Sequence, residues 1–259
     1  MLETTLAIMR CPVCRQAPQF TVAEGEWTTV QYANKAYQEL AEGYLVCPSC
    51  QARFPVSEYV PSFATLLPDD IGSDASYWGR FYAQRIAEGN RIFLEPDLAR
   101  KNRGACAYDP EEFLLQHPLL QQRGQCLDVG CGTGWTTLLL ARRGFNAVGL
   151  EPAQESVVLA KRYAMEQGVP VDYICGAPGY VRLAEGCLDA VFAFHSLHHV
   201  PHLANVLAGM RPWLRDGGVL AVDEHVQSKP ALWAWRSALQ SLLQPDAAAA
   251  TGEERASAN

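Results

Sequence analysis

The sequence predicts an α/β protein: a doubly wound, mostly parallel sheet preceded by a small metal-stapled domain. Three observations carry this. From Gln125 onward, short apolar runs alternate with helix-forming runs, the pattern of parallel strands joined by helices on both faces. The first apolar run empties into Asp128-Val129-Gly130-Cys131-Gly132-Thr133-Gly134, a loop with glycine at every second position. Near the other end, Cys11-Pro12-Val13-Cys14 and Cys47-Pro48-Ser49-Cys50 form two C-P-x-C units separated by 32 residues.

The sheet is expected to use strands at Gln125–Val129, Ala147–Glu151, Val171–Cys175, Leu188–Phe194 and Gly218–Asp223. Helices are expected at Trp135–Arg143, Ala153–Gln167 and His202–Leu214. Ligands in such sheets bind beyond the C-terminal ends of the strands, so the candidate site residues are sought there. Alternating glycines let the backbone turn sharply and let a ligand reach main-chain N–H groups that a Cβ would block. The helix N-terminus behind the loop favours polar or anionic groups. Glu151 closes the next strand, 23 residues after Asp128, and a carboxylate there suits the two hydroxyls of a ribose.

In the N-terminal region, two residues between thiolates let both sulfurs of one tight turn face the same ion. Two such turns complete a tetrahedron, so Cys11, Cys14, Cys47 and Cys50 read as a closed structural zinc site. A redox C-x-x-C is the alternative, but it is not expected twice, nor outside a βαβ pattern. Four sulfur ligands leave no position for a catalytic water, so the metal's work is folding. The insert Ala17 to Gly43 is expected to hold a hairpin (Phe20–Val22, Thr28–Tyr32) and a short helix (Asn34–Glu42).

Between these parts, Pro68 to Asp74 reads as a loop by composition. Tyr77, Trp78, Phe81 and Tyr82 then recur at helical spacing. That helix either packs on the sheet domain or forms a lid over the site. Tyr108 to Phe113 reads as a further helix start, with Pro110 at the first helical position. The organisation is therefore 1–67 for the metal domain, 68–124 for a helical linker or lid, 125–245 for the sheet domain and 246–259 for a tail.

Net charge is −7 at pH 7, which argues against a nucleic-acid partner. No apolar run of 18 residues suggests a membrane span. The first residues, MLETTLAIMRCP, lack a basic leader and a small-residue cleavage site, and nine cysteines without a secretory signal point to a reducing, cytoplasmic setting.

With these residues in view, D-x-G-x-G-x-G from Asp128 to Gly134, followed by Glu151, resembles the first motif of class I S-adenosylmethionine-dependent methyltransferases. The resemblance runs from about Gln125 to about Val226 and implies a Rossmann-like fold. It implies a cofactor held by Asp128, Gly130, Cys131, Gly132, Gly134, Glu151, Pro152, Gly176 and Ala177, with His195 at its methionine end. Family members usually carry an acid after the glycine at Gly176, where this chain has Ala177. Adenine would then rely on backbone groups, Tyr180 or Arg182. The ending Leu197-His198-His199-Val200 resembles small-molecule methyltransferases of the menaquinone-biosynthesis type, not the N/D-P-P-Y/F of enzymes that methylate base amines. His198, His199 and His225 are the candidate general bases, needed only if the acceptor holds a proton. The cysteine-bearing region, from Tyr44 to Phe63, resembles the zinc ribbon of the small activator subunit that partners tRNA and translation-factor methyltransferases. That implies a possible protein partner through the ribbon.

The expected function is in-line methyl transfer to a small-molecule acceptor. The alternatives are an RNA methyltransferase gripping its acceptor with the ribbon, and a non-catalytic cofactor-binding or scaffold module. The family's last two strands form a hairpin, and beyond the helix expected at Ala231–Leu243 no residues have the alternation a strand pair wants. That hairpin is expected to be missing, through truncation or a different closure of the sheet.

Overall fold

The computed structural model describes residues 1–14, 16–33, 35–102, 118–121 and 123–224. The helix starts expected at Tyr108 and Ala231, the absent hairpin and His225 lie outside the described residues.

Five parallel strands form the main sheet: β6 (Gln125–Val129), β7 (Asn146–Glu151), β8 (Asp172–Cys175), β10 (Leu188–Phe194) and β11 (Leu214–Asp223), in the order β11-β10-β6-β7-β8. The order reverses between β6 and β10, which opens a crevice at their C-terminal ends. Helices α4 (Trp135–Arg142) and α5 (Gln154–Glu166) fall where they were expected, whereas α6 (Leu203–Met210) stops short of the expected Leu214, because a tight turn at Arg211–Trp213 containing Pro212 ends it and β11 starts at Leu214 rather than Gly218.

The strands alternate between two faces. Cys126, Ala147, Tyr173, Ala190 and Phe192 point to one, where Leu138 and Leu140 of α4 and Val157 and Ala160 of α5 cover them. Leu127, Val148, Leu150, Ile174 and Val191 point to the other, into a core shared with Leu207 and Met210 of α6 and with the N-terminal domain. The second face, expected to carry helices alone, is thus closed largely by the ribbon.

The ribbon is a four-stranded antiparallel sheet, β2 (Thr21–Tyr32), β3 (Lys35–Val46), β4 (Arg53–Ser57) and β5 (Val60–Pro61). A short helix α1 (Glu3–Ile8) and the strand β1 (Met9–Arg10) precede it. The helix expected over Asn34–Glu42 is a correction: Lys35 to Glu42 lie in β3, paired to β2 along most of its length, and the two arms of the hairpin expected at Phe20–Val22 and Thr28–Tyr32 run together in the single strand β2. Lys-Ala-Tyr-Gln-Glu-Leu-Ala-Glu has good helix propensity, but pairing with β2, a bridge from Leu2 to Glu39 on the other side, and burial of Glu39, Leu40 and Ala41 override it. Two backbone stitches join ribbon to sheet. β1 pairs antiparallel with β9 (Arg182–Leu183), and Phe63 N–H donates to the Cys175 carbonyl at 2.8 Å. Phe20, Phe54 and Phe63 interlock beneath, with ring centroids 4.6 to 6.2 Å apart.

At the β8 edge the hairpin and sheet share a buried ionic cluster. Lys161 of α5 lies 2.6 Å from Glu39 of β3 and 3.0 Å from Asp172 of β8, and all three side chains are fully buried. Tyr32 donates to Glu39, and Leu2 N–H donates to Asp172 at 2.7 Å. Burial is the largest single influence on the Asp172 carboxyl and raises it, but the Lys161 ammonium, the N-terminal ammonium and the hydrogen bonds from Thr5 and Leu2 together hold Asp172 below the usual carboxylate range. Removing one member of such a cluster leaves uncompensated buried charge. Lys161→Met is therefore expected to cost about 3–5 kcal/mol, read as a fall in the urea midpoint.

A final correction concerns Pro68 to Asp74, expected as a loop. The helix α2 (Asp69–Ala87) already begins at Asp69, with Pro68 as its cap residue, and the short α3 (Pro96–Asn102) follows it. Asp69 and Asp70 in the first turn complement the helix dipole. No helix among the described residues is long and apolar enough to cross a membrane.

Candidate active site

The crevice between β6 and β10 opens into a cavity of about 590 Å³. Its floor is the glycine loop. The three glycines do different work. A Cβ on Gly130 would lie 2.3 Å from that of Ser196, and one on Gly134 would lie 2.5 Å from the Tyr173 hydroxyl. Both are excluded by packing, and both have positive φ. Gly132 also has positive φ, yet a Cβ there would meet nothing within 4 Å. Gly130 and Gly132 both line the cavity, and only at Gly132 is the place of the missing Cβ open.

Glu151 stands opposite. Its carboxylate accepts the Gly132 N–H and the Ala153 N–H, both at 3.1 Å. Burial pushes it up to about 7, with Asp128 and Asp74 adding to the rise and the two N–H bonds opposing it. Asp128 sits behind the loop, where the hydroxyls of Thr136 and Thr137 donate to it at 2.5 and 2.7 Å. Burial raises Asp128 to about 6 against those two bonds. The acid thus ties the end of β6 to the first turn of α4 and fixes the loop, without reaching the cavity wall.

Of the other residues singled out from the sequence, Gly130, Gly132, Pro152, Ala177, His195 and His199 line the cavity with Glu151. Cys131, Gly134, Gly176 and His198 do not. Cys131 is buried, its thiol pushed well up by burial. Tyr180 is on the wall beside Ala177, whereas Arg182 lies in β9 away from it. His195 adopts a φ of 52°, and its Nε2 approaches Asp223 Oδ2 to 3.4 Å. Glu224 accepts the N–H groups of Ser196 and Leu197 at 2.6 and 2.5 Å, and lies 2.7 Å from His198 Nδ1. It clamps the turn that follows β10. His199 Nδ1 lies 3.9 Å from Asp74 Oδ2, and its ring sits 6.2 Å from that of Trp78.

Asp74 and Trp78 belong to α2, which roofs the cavity. Ile71, Asp74, Ala75, Trp78 and Tyr82 all line it, one face of a helix three to four residues apart. The aromatic helix thus both packs and covers. Gly79 permits the packing, since a Cβ there would fall 2.6 Å from the Glu155 carboxylate of α5. Burial first, and the Glu151 carboxylate second, push Tyr82 up. Asp70, Asp74, His202 and Asn205 also line the cavity and were missed as site residues. Nothing local marks them, because the long-range placement of α2 and α6 brings them there.

In the ribbon, the sulfurs of Cys11, Cys14, Cys47 and Cys50 lie within 4.8 Å of one another. Cys50 N–H points at the Cys47 sulfur, 3.4 Å away. Four convergent thiols from two knuckles are a donor set that fits a tetrahedral soft-metal ion.

The strand order, a glycine loop at the switch point and an acid ending the neighbouring strand define an α/β fold of the nucleoside-binding type, with a cysteine-knuckle domain built onto its face. Residues 127–222 match the family model described as Methyltransferase domain, and residues 3–58 match that of the Trm112p-like proteins. The sheet domain is thus similar to methyltransferase domains, and the ribbon to Trm112p-like proteins. A ubiquinone biosynthesis O-methyltransferase of Chromobacterium violaceum is 32% identical over 108 residues, covering 41% of this chain and 46% of that protein. One of Methylobacterium sp. (strain 4-46) is 37% identical over 145 residues, covering 56% of each. The chain spans about half the length of the curated relatives it matches. The solved structure of the PH0226 protein from Pyrococcus horikoshii OT3 overlaps 50% of this chain and 57% of that one, at 24% identity and a TM-score of 0.43.

Proposed function

We propose that this protein transfers a methyl group from S-adenosylmethionine to a small-molecule acceptor. The observation that carries the reading is one cavity, roofed by α2, whose lining holds both the Gly132–Glu151 cradle and the His199–Asp74 pair. The Glu151 carboxylate would exchange its bond to Gly132 for the ribose hydroxyls, and the freed Gly132 N–H would face the cofactor. Pro152, Ala177 and Tyr180 would border the adenine, and His195 the methionine end. The wall carries Asp70, Asp74 and Glu151, which favours a cationic ligand over an anionic one. The cofactor supplies an electrophilic methyl on a sulfonium; the protein's part is alignment and exclusion of water.

His199 would take the acceptor's proton, oriented by Asp74. His198, held by Glu224, would position the turn. O-methylation accords with the names of the relatives above. We assign zinc to the four cysteines, with a folding role. The apolar side of the ribbon is buried against the chain's own sheet, so the partner its likeness suggests would be supplied within the same chain.

The test uses tritiated S-adenosylmethionine and a metabolite extract. Label is expected in a low-molecular-weight product, and His199→Ala is expected to lower the rate about 100-fold or more for a hydroxyl acceptor. Label confined to RNA would contradict a small-molecule acceptor. Absence of transfer to any fraction would favour a binding module.

A further inference from the structure

The geometry points to Glu224 as a positioning residue: its buried carboxylate caps the turn that carries two adjacent histidines, anchors His198 and leaves His199 as the one presented to the acceptor. This rests on the methyltransferase reading above and deepens it.

Residues His195 to His199 follow β10, and His195, Ser196 and His199 line the cavity. Leu197–His199 form a single 3₁₀ turn. So short a turn satisfies few of its own N–H groups, and its first donors need a partner from outside. Ser196 stands at the cap position, where a hydroxyl would ordinarily accept them. That hydroxyl is committed elsewhere: it donates at 2.6 Å to the carbonyl of Val129, the residue before Gly130. Glu224, the residue after β11, supplies the cap instead. Its Oε1 accepts both the Ser196 and the Leu197 N–H groups. Its Oε2 lies 2.7 Å from His198 Nδ1. The side chain is only 3% exposed, so little water competes for these bonds.

The third contact sorts the histidines. Their rings are 4.1 Å apart between centroids, and the sequence offers both as bases. A carboxylate has only acceptors, so Nδ1 carries the hydrogen of the neutral His198 ring. A carboxylate–imidazole pair is also a common mark of a general base. Here, however, His199 is on the cavity wall and His198 is not. Glu224 therefore anchors the ring that does not react. It is not on the wall either, and it acts through the turn.

Nitrogen-15 NMR at pH 8 on the full chain reads the tautomer, with the His198 signals identified by their loss in His198→Asn. The parent is expected to show His198 with its hydrogen on Nδ1. Glu224→Gln, whose amide can donate, should move that hydrogen to Nε2. The tritium-transfer assay is run on the same proteins. Glu224→Ala should lower transfer about tenfold or more, while S-adenosylhomocysteine affinity stays within about threefold, because Ser196 keeps its bond to Val129. Asn offers Glu224 an N–H donor but no base, so His198→Asn should transfer within about threefold of the parent. The hydrogen on Nε2 in the parent would overturn the assignment, as would parent-like transfer in Glu224→Ala. Equal losses of rate and affinity in Glu224→Ala would reduce Glu224 to a structural residue, and transfer as low in His198→Asn as in His199→Ala would make His198 a base; either overturns it. Should Glu224→Ala fail to fold, the tautomer and His198→Asn decide. A parent that transfers no label overturns the reading beneath, and the tautomer alone then decides the clamp.

Discussion

Glu151→Ala is expected to weaken S-adenosylhomocysteine binding about 100-fold in calorimetry at pH 8. The variant removes a buried carboxylate that can accept two ribose hydroxyls, and charge-assisted hydrogen bonds contribute about 1.5–3 kcal/mol each. The loss of one such bond net of solvation already gives roughly tenfold. The pH dependence follows from the same residue. Burial sets Glu151 near 7, so the ligand-free protein holds a proton there that it must release to bind the hydroxyls. Affinity should rise between pH 6 and 8, by up to about tenfold per unit below 7, and Glu151→Gln should be flat across that range. Stability runs the other way. A carboxyl whose folded pKa is raised contributes stability that is full below its unfolded value, near 4.5, and is lost as pH rises through 7. At pH 8 the ligand-free Glu151→Gln protein should melt no lower than the parent. A residue that strains the empty fold and is relieved by ligand is the pattern of a binding group, whereas a purely structural carboxylate would lose stability on substitution.

Removing the metal is expected to unfold far more than the ribbon. Structural zinc contributes about 10–16 kcal/mol in small cysteine-bound domains, comparable with the whole stability of a typical protein of this size. Met9, Cys11, Leu45, Cys47 and Phe54 share one core with Leu127, Leu150 and Val191 of the sheet. Loss of the knuckles therefore opens the face of β6, β7 and β10 to water. Cys11→Ser, or chelator at moderate temperature, should lower the melting temperature by more than about 10 °C in a single transition, and should release one zinc per chain by mass spectrometry. Two separate transitions, with the sheet melting unchanged, would show that the ribbon folds alone.

These two expectations come from the parts of the molecule most legible in the sequence, and for the same reason. The glycine loop, Glu151 and the cysteine knuckles are local patterns, in which turn chemistry and ligand spacing are set by residues a few positions apart. The five strands and three helices were legible because alternation and helical period report burial directly. What was not legible depends on distant partners. The residues at Lys35 to Glu42 have helical propensity but are strand, because β2 pairs with them, Leu2 bridges Glu39 from the other side, and Glu39 and Leu40 are buried. Asp69 and Asp70 follow Pro68 in a helix start that composition disguised as a loop. Asp74 and Asn205 are ordinary surface residues until α2 and α6 bring them to one cavity. The closure of one sheet face by the ribbon together with α6, rather than by helices alone, had no signature in either segment alone.

Asp128 carries a related lesson. Its position ahead of the glycines marked it as a ligand contact, yet its oxygen is taken by Thr136 and Thr137 and it acts on the loop from behind. Motif residues need not touch what the motif holds.

The central claim is that the space between Gly132 and Glu151 receives an adenosyl group. A crystal structure with S-adenosylhomocysteine tests it most directly. The account predicts both ribose hydroxyls within hydrogen-bond distance of the Glu151 carboxylate, with the Gly132 N–H released from Glu151 and the sulfur directed toward His199 below α2. Density for the nucleoside elsewhere, or an empty cavity with Glu151 still bonded to Gly132 at saturating ligand, would contradict it.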